Sequence, residues 1–344
     1  MKILLISFII AFVASTPPKV SFNVLDAGTD ATLIAISKTS KALWISGTKG
    51  TIIKSSDDGT NWSDNLWKGP DSLQFRDVHA FDDEKALVMS IGSGASSQIF
   101  STEDGGNSWS QTYQMQHPDG FLDCMGFWDE QRGIAYGDAF DGYPFILTTT
   151  DGGQSWERVL PKYLPTALEG EGGFASSGTC VTTGKGGYAW IGTGNGRKAR
   201  VLISSDYGKS WQVTGSPLVS GEAAGITSID FLEDGVGFIT GGDLTRMKEY
   251  TDNCAITNDF GKTWELVSKP VTKGALYGLS LSKVDEENLL FVCGPNGIDF
   301  TLDHGRSWTL LDTANYWTVH LDSDRSTGWA AGKNGRIIRI SVRQ

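Results

Sequence analysis

The chain has 344 residues, with 29 Lys and Arg set against 40 Asp and Glu, for a net charge of −11. A field of that sign excludes nucleic acid and anionic lipid surfaces as partners for the molecule as a whole. No cofactor or metal is expected: the four histidines lack ligand spacing, "GTGNGR" has no helix after it, and no Gly-x-Ser-x-Gly elbow occurs.

The first element is "MKILLISFIIAFVAST", with one Lys, an apolar run from Ile3 to Val13 and small residues at Val13 and Ser15. It reads as a secretory signal peptide over residues 1–15. The apolar run is shorter than the roughly 20 residues a membrane span takes. Residues 16–344 are then one extracytoplasmic domain, secreted or periplasmic, with no membrane insertion once the signal is cleaved.

From "VSFNVLDAG" (20–28) onward the pattern is β throughout. The first unit reads "TLIAIS", then a run ending in Gly, "ALWISG" (42–47), then "GTIIKSS", then the turn "SSDDGTNW" (55–62). β-branched and aromatic runs bounded by Gly, Asn and Asp are the sequence form of strands and hairpins. The Gly-ended run returns as "ALVMSIG", "GIAYGD", "AWIGTG", "VGFITGG", "LLFVCG" and "GWAAG". The turn returns as "TEDGGNSW" (102), "TTDGGQSW" (149), "SSDYGKSW" (204), "TNDFGKTW" (257) and "TLDHGRSW" (301).

Its tryptophans are Trp62, Trp109, Trp156, Trp211, Trp264 and Trp308, in steps of 47, 47, 55, 53 and 44 residues. Periods of roughly 20–50 residues indicate one repetitive body rather than several domains. Each unit reads as four strands, with the turn joining the third to the fourth. There are seven strand pairs but six turns, and the last unit, "YWTVHLDSDRSTGWAAGKNGRIIRIS", supplies only three strands. The expected fold is an all-β, seven-bladed β-propeller whose N-terminal strand completes the last blade and removes the exposed edges.

Within each turn the aspartate (Asp57, Asp104, Asp151, Asp206, Asp259, Asp303) is placed to accept turn amides, and the Trp to bury its ring between sheets. The turns are therefore expected to be structural. Cys124, Cys180, Cys254 and Cys293 could pair three ways in an oxidising compartment. Since they sit mostly inside apolar strand patterns such as "FLDCMGF", buried free thiols are the expectation.

Ser/Thr-x-Asp-x-Gly-x-Ser/Thr-Trp resembles the Asp-box, or bacterial neuraminidase repeat, and only the first copy strays, with Asn61 in place of Ser or Thr. Unit spacing and segments such as "GWAAGKNGRI" resemble the secreted propellers grouped with photosystem II assembly-factor-like proteins. The resemblance implies the propeller and says little of activity. Sialidases of similar fold use an arginine triad, a Tyr–Glu pair and an Arg-Ile-Pro segment; no Arg-Ile-Pro occurs here, and "FRDV" is the nearest approach.

In a four-stranded blade the repeated turns lie at one end and the crossovers at the other. The long loops "GDAFDGYPF" (137–145), "GTGNGRKAR" (192–200) and "GGDLTRMKEYTDN" (241–253), with the crossover "PKYLPTALEGEGGF" (161–174), all fall on that other face, where recognition is expected. Candidate ligand-binding residues are Arg76, Asp138, Tyr143, Glu171, Arg200, Asp243, Arg246 and Tyr316, since acids mixed with arginines can grip a carboxylate, sugar or peptide. The functional expectation is a monomeric binding or assembly platform for a protein, peptide or glycan. The alternative is a glycoside hydrolase using Asp138, Glu171 or Asp243 as carboxylates held about 5–10 Å apart.

Overall fold

A computed structural model describes residues 18–284, 287–322 and 326–343; the signal segment 1–15 lies outside the described residues. Seven antiparallel sheets follow one another along the chain. Their inner strands are Leu33–Lys38, Phe75–Ala80, Leu122–Phe127, Val181–Gly184, Ala224–Phe231, Gly278–Val284 and Tyr316–Leu321. Each neighbours the next, and the seventh returns to the first, so the molecule is a seven-bladed propeller.

The ring is closed by the N-terminal strand, as the strand count requires. Lys19–Asp26 pairs antiparallel with Arg336–Arg343 in continuous register from Lys19 opposite Arg343 to Asp26 opposite Arg336. Val20 and Phe22 of this strand pack on the apolar cluster between blades 6 and 7. The core is divided into seven such clusters, one for each pair of adjacent blades.

The six turns share one hydrogen-bond scheme. The leading hydroxyl donates to the aspartate Oδ1 and accepts the glycine amide, as in Thr149 to Asp151 (2.8 Å) and Gly153 to Thr149 (2.9 Å). Oδ1 then accepts the Ser155 amide at 3.0 Å, and Oδ2 the Ser155 hydroxyl at 2.5 Å. Asn61, the one departure from the pattern, does the same work through its side-chain amide, which donates to Asp57 Oδ2 at 2.7 Å. Backbone amide and side-chain donors hold Asp57 at a pKa of about 2; at Asp104 the Ser108 hydroxyl and amide do the same. Each Trp closes the cluster between its own blade and the one before, as Trp156 does for blades 2 and 3.

Three expectations are corrected. Blade 1 has three strands rather than four. The segment after Trp62 lies beside Ile52–Ser55, but side chains interrupt the ladder: Ser63 Oγ accepts the Lys54 amide at 2.9 Å and Asn65 Oδ1 the Ile52 amide at 2.8 Å. Polar side chains that take backbone bonds compete with strand pairing in this way. The stretch 137–145 is not a loose loop, because strands Gly133–Phe140 and Tyr143–Thr149 extend through it to a tight Asp141–Gly142 turn with both φ positive (54° and 80°). Finally, Cys124 and Cys180 form a disulfide with Cα atoms 5.9 Å apart, and only Cys254 and Cys293 are buried free thiols. The pair belongs to adjacent blades 3 and 4, whose packing brings two residues 56 apart in sequence into contact.

Candidate functional site at the channel mouth

The inner strands share a local irregularity that assembles a site. In blades 1, 2, 3, 5 and 7 one residue near the start of the inner strand is skipped by the pairing with the second strand: Ile34, Arg76, Asp123, Thr227 and Trp317. A β-bulge leaves its extra residue unpaired and re-aims the side chain. Three of them, Arg76, Asp123 and Trp317, line the mouth of the central channel on the crossover face, whereas Ile34 and Thr227 are fully buried.

In blades 1, 3, 5 and 7 the same bulge accounts for the glycine that ends the second-strand run. The bulged strand pushes a carbonyl against the opposing residue, so a Cβ on Gly137 would meet the Phe121 oxygen at 2.1 Å, and one on Gly332 the Asn315 oxygen at 2.1 Å. Only glycine tolerates that approach.

A cavity of about 300 Å³ opens there, lined by Arg76, Phe121, Asp123, Asp138, Phe174, Tyr277 and Trp317 among others. Arg76 is half-buried. Its guanidinium lies 5.0 Å from the centre of the Trp317 ring and donates to the Ala175 carbonyl (3.1 Å) and to Gln74 Oε1 (2.8 Å). Its Nε has no partner among the described residues, and no carboxylate is among the groups that act on its charge. Burial lowers its pKa.

The same cavity is lined by two carboxyls of the adjacent blade 3. Asp123 is the bulged residue of the inner strand and is 1 % exposed; Asp138 follows on the second strand. They lie within hydrogen-bonding reach of each other. Burial, then the negative charge of Asp138, lifts Asp123 well above the usual carboxylate range, and burial lifts Asp138. Burial and the mutual charge thus oppose full ionisation of the pair. The Gly173 amide donates to Asp138 Oδ1 at 3.0 Å. Asp123 Oδ2 and the hydroxyl of fully buried Tyr136 meet no hydrogen-bond partner among the described residues.

The floor of the mouth is the crossover from blade 3 to blade 4. After Phe174 this segment dips across the channel instead of following the rim. Its Ser177 hydroxyl donates to the Tyr277 carbonyl of blade 6 (2.7 Å), Thr179 bonds Ser228 of blade 5 (2.6 Å), and Gly178 lies against Asp77 of blade 2 and Ala35 of blade 1.

The sequence-derived candidates divide accordingly. Arg76 and Asp138 meet at the cavity. Glu171 is buried in an ion pair with Arg200, whose Nε donates to its Oε1 at 2.8 Å, while the Thr193 hydroxyl (2.8 Å) and Leu168 amide (2.8 Å) fill the remaining acceptor positions. Neither oxygen is left for substrate. Asp243 accepts the amide and hydroxyl of Thr245 at 2.9 and 2.6 Å, and Arg246 pairs with Glu249, both within one exposed loop. Tyr143 packs on the cluster between blades 3 and 4. Tyr316 is fully buried, donating to Asp312 (2.6 Å) and accepting from Arg336 (2.8 Å), so it ties blade 6 to blade 7. Its neighbour Trp317, at the bulge, is the aromatic that reaches the mouth.

Sequence reasoning did not single out Asp123, Tyr277 or Trp317. The available signal was an acid inside an otherwise apolar inner strand, "FLDCMGF". Among the described residues no group of three or more His, Cys, Asp or Glu is arranged to hold a metal ion.

No family model matches the chain, and no curated protein matches it. Solved structures do. One described as "YCF48 bound to D1 peptide" aligns over 95 % of this chain and 97 % of its own, at 16 % identity and a TM-score of 0.63. Another, "YCF48 from Cyanidioschyzon merolae", aligns over 93 % and 99 % at 15 % identity and a TM-score of 0.65. The propeller is thus shared with these proteins.

Proposed function

We propose that this chain is an extracytoplasmic propeller acting as a binding and assembly platform, which receives a peptide segment of a partner protein at the channel mouth. The observation that carries the reading is Arg76: a half-buried cation, stacked on Trp317, that makes no ion pair among the described residues and lines a 300 Å³ cavity. A guanidinium so placed is suited to a carboxylate of a ligand. The D1 peptide named with one structural neighbour is in keeping with a peptide ligand, by analogy of fold. The proposal extends to the repeated turns as Asp boxes, to a monomer, and to protein or peptide partners ahead of glycans.

The hydrolase reading finds less support. Glu171 is engaged by Arg200, and Asp123 and Asp138 stand in mutual contact rather than at the spacing that admits a sugar and water. Selection of random seven-residue peptides with free carboxyl termini, against the same library amidated, tests the binding reading. Wild-type protein is expected to retain the free-acid peptides at least about tenfold better, and Arg76→Gln to lose the difference. Equal retention of both libraries, or turnover of chromogenic glycosides abolished by Asp138→Ala, would reject it.

A further inference from the structure

The Asp123–Asp138 pair joins no two inner strands; its hydrogen bond to the backbone is from the Gly173 amide of the crossover to Asp138. Other aspartates of the inner strands do join them. Asp77 accepts the Val78 and Met125 amides (both 2.7 Å), and Asp230 the Phe231 (2.8 Å) and Leu281 (3.0 Å) amides, each joining its inner strand to the next. Asp123 links no blades in that manner. It is packed under the cavity with only Asp138 and the Gly173 amide as hydrogen-bonding neighbours, beside a tyrosine hydroxyl, that of Tyr136, without a partner among the described residues. A fully buried polar group without a partner costs on the order of 1–3 kcal/mol, so its presence calls for a reason.

Gly172 and Gly173 keep the space open. A Cβ on Gly173 would stand 2.6 Å from Asp123 and 2.8 Å from the Tyr136 ring, and one on Gly172 would stand 1.9 Å from Asp138 Oδ1. Backbone thus approaches both carboxyls while the cavity side stays unobstructed. The one protein donor hydrogen-bonded to Asp138 is the Gly173 amide.

We propose that the Asp123–Asp138 pair is a subsite for a primary ammonium group, an amino terminus or a lysine, carried by the same ligand whose carboxylate meets Arg76. The inference rests on the peptide reading above and adds the second charge. The cavity is lined by one fixed cation and one carboxyl pair, from adjacent blades 2 and 3, with Phe121, Phe174, Tyr277 and Trp317 around them. An ammonium supplies three donors to oxygens short of them. It also favours full ionisation of two carboxyls whose proton is held by burial and mutual repulsion. Binding therefore displaces that proton to solvent. The other charged groups acting on Tyr136, between the carboxyls and the interior, are Glu171 and Arg200, which are already paired with each other.

The test is selection of random heptapeptides, half of them N-acetylated, on the full chain at pH 7.5, alongside Asp138→Asn and Asp123→Asn. Wild type is expected to favour peptides with a free amino terminus or a lysine by about tenfold over acetylated, lysine-free ones. Either variant is expected to lose that preference while still requiring a carboxylate through Arg76. Comparing the N-acetylated lysine peptides with the free-terminus, lysine-free peptides tells which ammonium is taken. Calorimetry of a selected peptide in two buffers of different ionisation enthalpy should register release of about one proton, and none with its acetylated, lysine-free form. Peptides retained without any cationic preference, or a preference unchanged in both variants, would overturn this subsite and leave the peptide reading standing. Retention of no peptide at all would remove both.

Discussion

The two rims of the propeller solve different problems with similar residues. On the turn rim, aspartates are exposed or half-buried, supplied with donors from within their own eight residues, and held low, to about 2 at Asp57 and Asp104. On the crossover rim, Asp123 and Asp138 are short of donors and held high. An aspartate whose carboxylate takes three local hydrogen bonds has little left to offer a ligand. One deprived of them has more. The contrast separates stability from recognition within one repeat.

The largest expected effect concerns the frame both rims share. Removing residues 18–28 strips the outer strand from blade 7 and reopens the ring, and should cost most of a total stability of about 5–15 kcal/mol. An unchanged cooperative melt by calorimetry would contradict closure.

Next comes the bulge that serves the crossover rim. Gly137→Ala sets a methyl 2.1 Å from the Phe121 carbonyl. It should lower stability by about 3 kcal/mol and abolish peptide retention together, because the displaced segment carries Phe121 as well as Asp123 and so deforms the cavity wall. Binding kept in a folded Gly137→Ala protein would show that the bulge does not build the site. Removing the staple just beneath, with Cys124→Ser and Cys180→Ser together, should cost about 2–4 kcal/mol in denaturant unfolding, for a 56-residue separation.

The sharpest separation of the rims is smaller in energy. Asp151→Ala removes the acceptor of one turn and should cost about 1–2 kcal/mol, as loss of a helix-capping side chain does, with peptide retention unchanged. Arg76→Gln should show the reverse: loss of retention with a stability change within about 1 kcal/mol. A turn variant that weakens binding as much as Arg76→Gln would erase the division.

The smallest effect is in acid. Carboxylates whose folded pKa is depressed contribute stability above the unfolded value near 3.8, and lose it as pH falls through the folded value. The turns should therefore weaken between about pH 4 and pH 2. Asp57→Asn with Asp104→Asn should flatten the fall of melting temperature across that window, and a slope identical to wild type would show these turns contribute no linkage.

The turns were legible in the chain because their hydrogen bonds run between residues two to four apart, and the propeller and its closure followed from counting the units those turns mark. Such a motif is contiguous, so it can be counted. Even the Gly-ended runs were visible, although their cause, a bulge pressing a carbonyl onto the facing strand, is not a property of any one segment. The missing fourth strand of blade 1 was written in Ser63 and Asn65, but whether a side chain replaces a ladder bond depends on the neighbouring strand.

The channel mouth was legible only in part. Arg76 and Asp138 were recognisable as polar residues on the right face, yet so were Asp243 and Arg246, which bond within their own loop. Glu171 and Arg200 looked like ligand groups and are each other's partners. Residue type and face set which groups were available. What decided their use was which other chain segment arrived beside them: the Cys124–Cys180 contact, the crossover laid across the channel, and the bulges that turned Trp317 rather than Tyr316 toward the mouth. Burial and pairing are relations between distant segments. Local hydrogen bonding determined the fold from the sequence alone, and only the closed ring determined which charges were left without a partner.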